Sequence, residues 1–335
     1  MTYLLQNSTR NTLSGISPLS NRKMFSSYHQ PSFIYGTDTM TINETDLERL
    51  EIKYRDVLRH MLSLPKYTKA SLIYLSLGVL PARAQRDLEI LGLFGQLALC
   101  GDDSQNIRKV IQNSLTFYDV NFTGWSGLVR KTCLRYGLPD PLQILLYPWC
   151  PDRWRQHCKE KIISFWENYL KENLSTSQQA ALFDVDNLSL SKPLQLWEEA
   201  GLDSQHVLKT TIASWMLLGV YQTKQKLKDM NMAKSAECPG CHQNQIETLD
   251  HLLFKCSYYQ TIRETYLPQF LMMNCKLVNI MDCKSMKLLA ILDPGSSKLP
   301  EDLVNNWSCK KSAYIVSRKF CYGLHMKRKK LLDKL

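Results

Sequence analysis

Cys238-Pro239-Gly240-Cys241 and, nine residues on, His251-Leu-Leu-Phe-Lys-Cys256 form the spacing in this sequence best suited to gripping a metal ion. Two thiolates three positions apart on a tight turn can reach one ion, and Gly240 lets that turn adopt the positive φ its geometry favours. His251 and Cys256 then complete a tetrahedral set of the soft and borderline donors that zinc prefers. With all four positions filled by protein, no place remains for an activated water, so the expected role is structural and not hydrolytic. His242, Cys275 and Cys283 are spare candidates, and His242 ranks below His251 because it directly follows Cys241. The competing reading is a buried histidine among reduced cysteines that pack as small hydrophobes. It fits poorly with the hydrophilic flanks Lys234–Glu237 and His242–Gln245, which leave the first cysteine pair outside any apolar stripe.

The elements around these four residues must bring them together. Thr248-Leu-Asp-His251 predicts a helix start with Thr248 as N-cap. His251 and Cys256 are spaced i,i+5 and not i,i+4, so the helix must loosen, or end near Cys256, for both to face one ion. A strongly apolar helix from Ser204, running through Val207 to Leu227, leads into the cluster. It is expected to pack on the His251 helix and bury Leu252, Leu253, Ile262 and Tyr266. A helix near Met286–Leu292 completes a zinc-knuckle domain over residues 204–292. Residues 293–335 form a basic C-terminal helix, with nine Lys or Arg against one Asp from Cys309 onwards, including Lys327 and Arg328.

Upstream, residues 1–40 read as a flexible lead-in with one apolar patch near Phe33–Tyr35. Residues 41–138 read as a helical bundle. Its first helix opens on a Thr45–Glu48 capping box and stops at Pro65; its second is closed by Gly78 and its third starts at Pro81. The outward cations Lys53, Arg55, Arg59, Lys66, Lys69, Arg83 and Arg86 suit either a solvated surface or a duplex-facing groove. Residues 139–203 are a helical connector dominated by a long helix over Asp152–Asn173. That helix interleaves Arg153, Arg155 and Lys159 with Trp154 and Trp166, a pattern in which rings stack on bases while cations meet phosphates. The same helix carries the apolar stripe Ile162, Phe165, Trp166, Tyr169 and Leu170, which suits a core equally. Near the metal cluster, Lys255, Tyr258 and Arg263 are the further candidates for nucleic-acid contact.

A formal charge of +11 favours nucleic acid or another anionic surface as partner. Eleven irregularly spaced cysteines without a signal peptide read as a reducing compartment and a metal site, against a disulfide framework. The most apolar window, Leu72–Cys100, is broken by Arg83, Arg86, Asp87 and Glu89 and does not suit a membrane span. The expectation is a soluble nuclear or cytoplasmic protein with no membrane partner.

Three blocks carry a family resemblance. Ile212–Tyr221 followed by Cys238-x2-Cys241-x9-His251-x4-Cys256 and Arg263-Glu264 resembles the zinc-binding segment after the polymerase domain of non-LTR (LINE-type) retrotransposon reverse transcriptases. Pro31–Gly36 with Leu47–Pro65 is similar to their thumb-like region, and Ser317–His325 resembles the helix that often closes such chains. The resemblance implies a mainly α protein: a thumb-like bundle, a connecting helical region and a zinc knuckle. It implies binding of element RNA or target DNA, with a full-length reverse transcriptase in trans as a further partner.

The family's polymerase chemistry is not expected here. Its Tyr/Phe-Ala-Asp-Asp motif does not occur, and the chain begins after the place where palm and fingers would lie. Cys100-Gly-Asp-Asp103 mimics paired polymerase aspartates, but follows a helical stripe and precedes the Ser104 cap, where Gly and Asp end helices. After Cys256 the acids Glu264, Asp282, Asp293, Glu301, Asp302 and Asp333 are scattered and suggest no nuclease. No catalytic residue is assigned. The alternative function is a zinc-stabilised helical scaffold that binds protein.

Overall fold

The computed structural model describes residues 16–99, 105–117, 124–177, 179, 181–182, 184–241, 244–273, 284–296, 298–299 and 310–334. Among these, the regular elements are helices, joined by one isolated β-bridge between Glu237 and Ile246, so the fold is mainly α as expected. Cys100–Asp103, Ser104, His242, Cys275, Cys283, Asp282, Glu301 and Asp302 lie outside the described residues.

The lead-in expectation fails for residues 18–34. Ser17 caps α1 (Pro18–Met24), which continues through a π-helical turn, Phe25–His29, into α2 (Gln30–Ile34). Phe25 is fully buried against Tyr54, so tertiary packing holds a segment whose Ser-rich local pattern reads as loop. α3 (Glu44–Met61) buries the apolar face Leu47, Tyr54, Val57, Leu58 and Met61, with Leu50 partly buried beside it. Its cap is Asn43 and not Thr45: the Asn43 Oδ1 accepts the Asp46 N–H at 2.8 Å. Glu44 and Asp46 then occupy the first turn, where the helix dipole favours acids. α4 (Ala70–Leu77) ends on Gly78 in the left-handed region, as its sequence requires.

α5 (Ala82–Leu99), α6 (Gln105–Phe117), α7 (Gly124–Arg135), α8 (Pro141–Leu146) and the first half of α9 (Pro151–Ser175) enclose one buried cluster. Its centre is Trp154, which packs edge-on against Phe94 and donates its indole N–H to the Leu91 carbonyl at 3.0 Å. A Cβ on Gly95 would stand 2.5 Å from the Trp154 ring, so only glycine admits that ring. On α6, Ile111 and Leu115 are buried while Ile107 and Val110 are exposed.

The second cluster joins α1, α3 and α4 to the later half of the chain, α10 (Gln195–Glu198) onwards. The buried side chains therefore divide the chain differently from the expected segments: α9 enters both clusters, with Trp154, Cys158 and Ile162 in one and Leu170 and Leu174 in the other. Of the α9 stripe, Phe165 and Tyr169 stay partly in solvent. The predicted Val207–Leu227 helix is two: α11 (Ser204–Leu217), capped by Asp203, and α12 (Lys224–Asp229), capped by Thr223. Gly219, at φ +60°, turns the chain between them. α13 (Gln260–Met273) and α14 (Lys284–Leu292) follow, and α15 (Lys310–Leu332) packs against α11, α13 and the metal cluster's helical turn. No helix of the described residues is long and apolar enough to cross a membrane.

Candidate metal centre

The four ligand candidates come together through two short backbone devices. A β-like ribbon pairs the Cys238 N–H with the Gln245 carbonyl at 2.8 Å and the Glu247 N–H with the Ala236 carbonyl at 2.9 Å. This sets Cys238 and Cys241 over the turn that follows. Thr248 is the N-cap predicted for it, its Oγ1 accepting the His251 N–H at 2.9 Å. The i,i+5 spacing is met by a π-helical turn, His251–Lys255, closed by the Cys256 N–H donating to the His251 carbonyl at 2.8 Å. Widening by one residue per turn converts the awkward spacing into a shared face.

Gly240 does not supply the positive φ expected of it. It is absent from the positive-φ residues; in this ribbon the positive φ belongs to Asn244, at +52°. A Cβ at position 240 would lie 3.0 Å from the Tyr258 Cβ and Cγ, so that side chain would have to give by a few tenths of an ångström.

One ligand atom from each of Cys238, Cys241, His251 and Cys256 falls within 4.8 Å of every other. The Cys238 and Cys256 sulfurs are 3.6 Å apart, and the Cys241 sulfur is 3.5 Å from His251 Nε2. Zinc–sulfur bonds of ~2.3 Å and zinc–nitrogen bonds of ~2.0–2.1 Å in a tetrahedron imply edges of roughly 3.8 Å and 3.5 Å. The donor set therefore fits that ion. Burial raises the Cys238 thiol and pushes the Cys256 thiol up to about 12, while it lowers the His251 imidazole. Buried thiols of this kind become thiolates when a cation compensates them, so metal binding must release protons.

Residues 190–262 match the family model described as zinc-binding in reverse transcriptase. The matched stretch contains all four ligands of the cluster, together with α10, α11 and α12. No curated protein and no solved structure matches the chain. The reverse-transcriptase zinc-binding match thus covers the metal centre and its immediate supports.

The charged candidates separate into two groups. Arg153, Arg155 and Lys159 are exposed on α9, with the Arg153 guanidinium 5.2 Å from the centre of the Trp149 ring. Arg155 and Lys159 line a groove of about 840 Å³ between α9 and α5, whose opposite wall offers Glu89 and Gln96. Lys255 is exposed and paired with Asp250 at 3.1 Å. Tyr258 is half-buried, with the Lys327 ammonium 4.9 Å from its ring centre and 3.0 Å from Thr261 Oγ1. Arg263 and Arg328 are corrections: they are 9% and 6% exposed and face inward. Arg263 donates to the Cys256 carbonyl, and Arg328 forms a two-pronged pair with Glu247, both contacts at 2.8 Å. Arg86, expected on an outward face, is also buried, donating to the Thr37 and Met40 carbonyls. Arg328 and Arg86 turn inward onto acceptors more than 40 positions away, whereas Arg263 turns back onto a carbonyl seven positions before it.

Glu247 is the functional-site residue that sequence reasoning missed. It is fully buried, accepts the Lys224 N–H at 2.7 Å, and joins the ribbon to α15 through Arg328. An acid beside Ile246 gives no local sign of a partner 81 positions away.

Proposed function

We propose that this chain is a nucleic-acid-binding module of a non-LTR retrotransposon reverse transcriptase system, in which zinc organises the segment that meets RNA or DNA. The observation that carries the reading is the convergence of Cys238, Cys241, His251 and Cys256 inside the stretch that matches a reverse-transcriptase zinc-binding family. Those four residues would hold the ion. When bound, zinc supplies structural cross-linking and no open coordination position. Lys255, Tyr258 and Lys327 stand at the outer edge of the cluster, and Arg153, Arg155 and Lys159 provide a second basic surface on α9. The proposed ligand is element RNA or target DNA, gripped mainly through phosphates, and no polymerase step is assigned to these residues.

The test is binding measured against salt. Each neutralised phosphate releases counterions, so log K should fall linearly with log salt, with slope near −0.9 per phosphate on duplex DNA and about −0.7 on single strands. Replacing Lys255 and Lys327 by Gln should weaken binding and flatten the slope by about 1 for each phosphate no longer neutralised. Salt-independent binding, or none at low salt, rejects the proposal. Capture of protein partners that survives nuclease treatment favours the scaffold alternative instead.

A further inference from the structure

The pattern read from sequence puts the stacking rings of α9 at Trp154 and Trp166, and the structure moves them. Trp154 is 1% exposed and its indole N–H is spent on the Leu91 carbonyl, so no base can reach its face. Trp166 is half-buried and donates to the Tyr136 hydroxyl. The rings that meet solvent lie just before the helix, at its junction with α8. Leu146 is 58% and Tyr147 78% exposed, Pro148 is exposed after them, and Trp149 is half-buried. Single exposed apolar side chains are ordinary, but this run is unbroken. Among the described residues the Tyr147 ring has no aromatic or cationic neighbour, and its hydroxyl has no hydrogen-bond partner.

Trp149 sits edge-on against Trp154, with ring centres 6.1 Å apart and the His157 ring at 5.3 Å. The exposed Arg153 guanidinium stands 5.2 Å from its ring centre. Arg153, His157 and Lys161 then follow at i,i+4 on successive turns, so the cations run on from the rings along one side of α9. Neither Arg153 nor Lys161 has a carboxylate within ion-pair distance among the described residues. Arg155 and Lys159 instead line the groove that also holds Asp38, Glu89 and Asp152. Unpaired cations beside open rings are the two halves of a single-strand site. Cations meet phosphates, while aromatic rings and guanidinium planes accept bases that a duplex would keep stacked inside.

We infer that the α8–α9 junction is a single-strand nucleic-acid site, with Tyr147 and the Trp149–Arg153 pair receiving unpaired bases and Lys161 a phosphate. The inference rests on the nucleic-acid reading above and adds the form of strand that this surface takes. An acidic protein segment would match the cations, but open rings beside cations match the bases and phosphates of a strand. RNA and DNA single strands share that chemistry, so the test uses both.

The full chain is titrated with fluorescent oligo(U), oligo(dT) and a blunt DNA duplex. Tyr147→Ala removes a largely exposed ring. It should weaken both single strands about 5–100-fold, leave the duplex within about twofold and keep the salt slope, because no phosphate contact is lost. Tyr147→Phe should bind like wild type, since stacking needs the ring and not the hydroxyl. Lys161→Gln should flatten the single-strand slope by about 0.7. Tyr28→Ala, at a tyrosine 72% exposed between α1 and α2, should change nothing. Single-strand binding that survives Tyr147→Ala within about twofold, or falls equally in Tyr147→Phe, in Tyr28→Ala or on the duplex, overturns the inference and leaves the nucleic-acid reading standing. A Tyr147→Ala chain that loses a polyglutamate probe but keeps the oligonucleotides assigns the junction to protein and overturns it likewise. A wild-type chain that binds no nucleic acid at low salt overturns both.

Discussion

Replacing Glu247 by Gln removes one charge from the buried pair that ties the metal ribbon to α15. Glu247 is completely buried and the Arg328 side chain is 7% exposed, so water cannot take over from the missing carboxylate. The pair is bidentate, with both contacts at 2.8 Å, and the Lys224 N–H donates to the same carboxylate. Glutamine keeps the shape and one acceptor oxygen, but strands a buried guanidinium. Breaking such a pair from one side costs about 3–5 kcal/mol, and the retained acceptor places Glu247→Gln at about 3 kcal/mol. The assay is urea unfolding with zinc held saturating, comparing Glu247→Gln, Arg328→Met and the double variant. If the pair acts as a unit, the double variant costs less than the two singles added, with a coupling of roughly 2 kcal/mol. A single-variant loss below about 1 kcal/mol, or strict additivity, would refute the role assigned to this pair.

Other perturbations follow from named contacts. Burial, then Arg328 and Lys329, lower the His325 imidazole to about 4. An unfolded chain near 6.5 binds a proton that the folded one refuses, so stability falls as pH drops from about 6.5 to about 4. His325→Gln should flatten that window, changing the wild-type-minus-variant difference by about 2 kcal/mol once partial solvent screening is allowed for. The buried carboxyls of Glu51, Asp87 and Asp293, all raised chiefly by burial, are common to both proteins and cancel. A difference that is flat with pH counts against the burial of His325. Gly95→Ala forces a methyl into the Trp154 ring and should cost about 1–3 kcal/mol, less any helix-propensity gain. Gly92→Ala, on the same helix with open space, should stabilise by about 0.5–1 kcal/mol in thermal or urea unfolding. Equal effects at the two glycines would contradict the Trp154 packing.

The metal site was legible in sequence because its signal is local. Two cysteines on a short turn, a Thr248 cap and the spacing from His251 to Cys256 each constrain the backbone within a few residues. Even the awkward i,i+5 offset correctly required a loosened turn. Termination at Gly78 was readable for the same reason. What sequence could not show was pairing across distance. Arg328 and Arg86 look like outward bases until Glu247 and the Thr37 and Met40 carbonyls are seen beside them. Residues 18–34 look like a loop until Phe25 is found beneath Tyr54. Gly240 looks like a turn glycine, whereas its close neighbour is the Tyr258 side chain, brought over by a later helical turn. Gly219 ends α11 where apolar periodicity alone would carry the helix on to Leu227.

Metal content of the purified chain bears most directly on all of this, measured by elemental analysis beside Cys238→Ser and His251→Ala. One zinc per chain in the wild type is expected, with none retained in either variant. Chelation should also strip hydrogen-exchange protection from residues 236–259 while leaving the Trp154 cluster protected. A metal-free wild-type chain, with protection over the same residues indifferent to chelator, would contradict a zinc-organised knuckle.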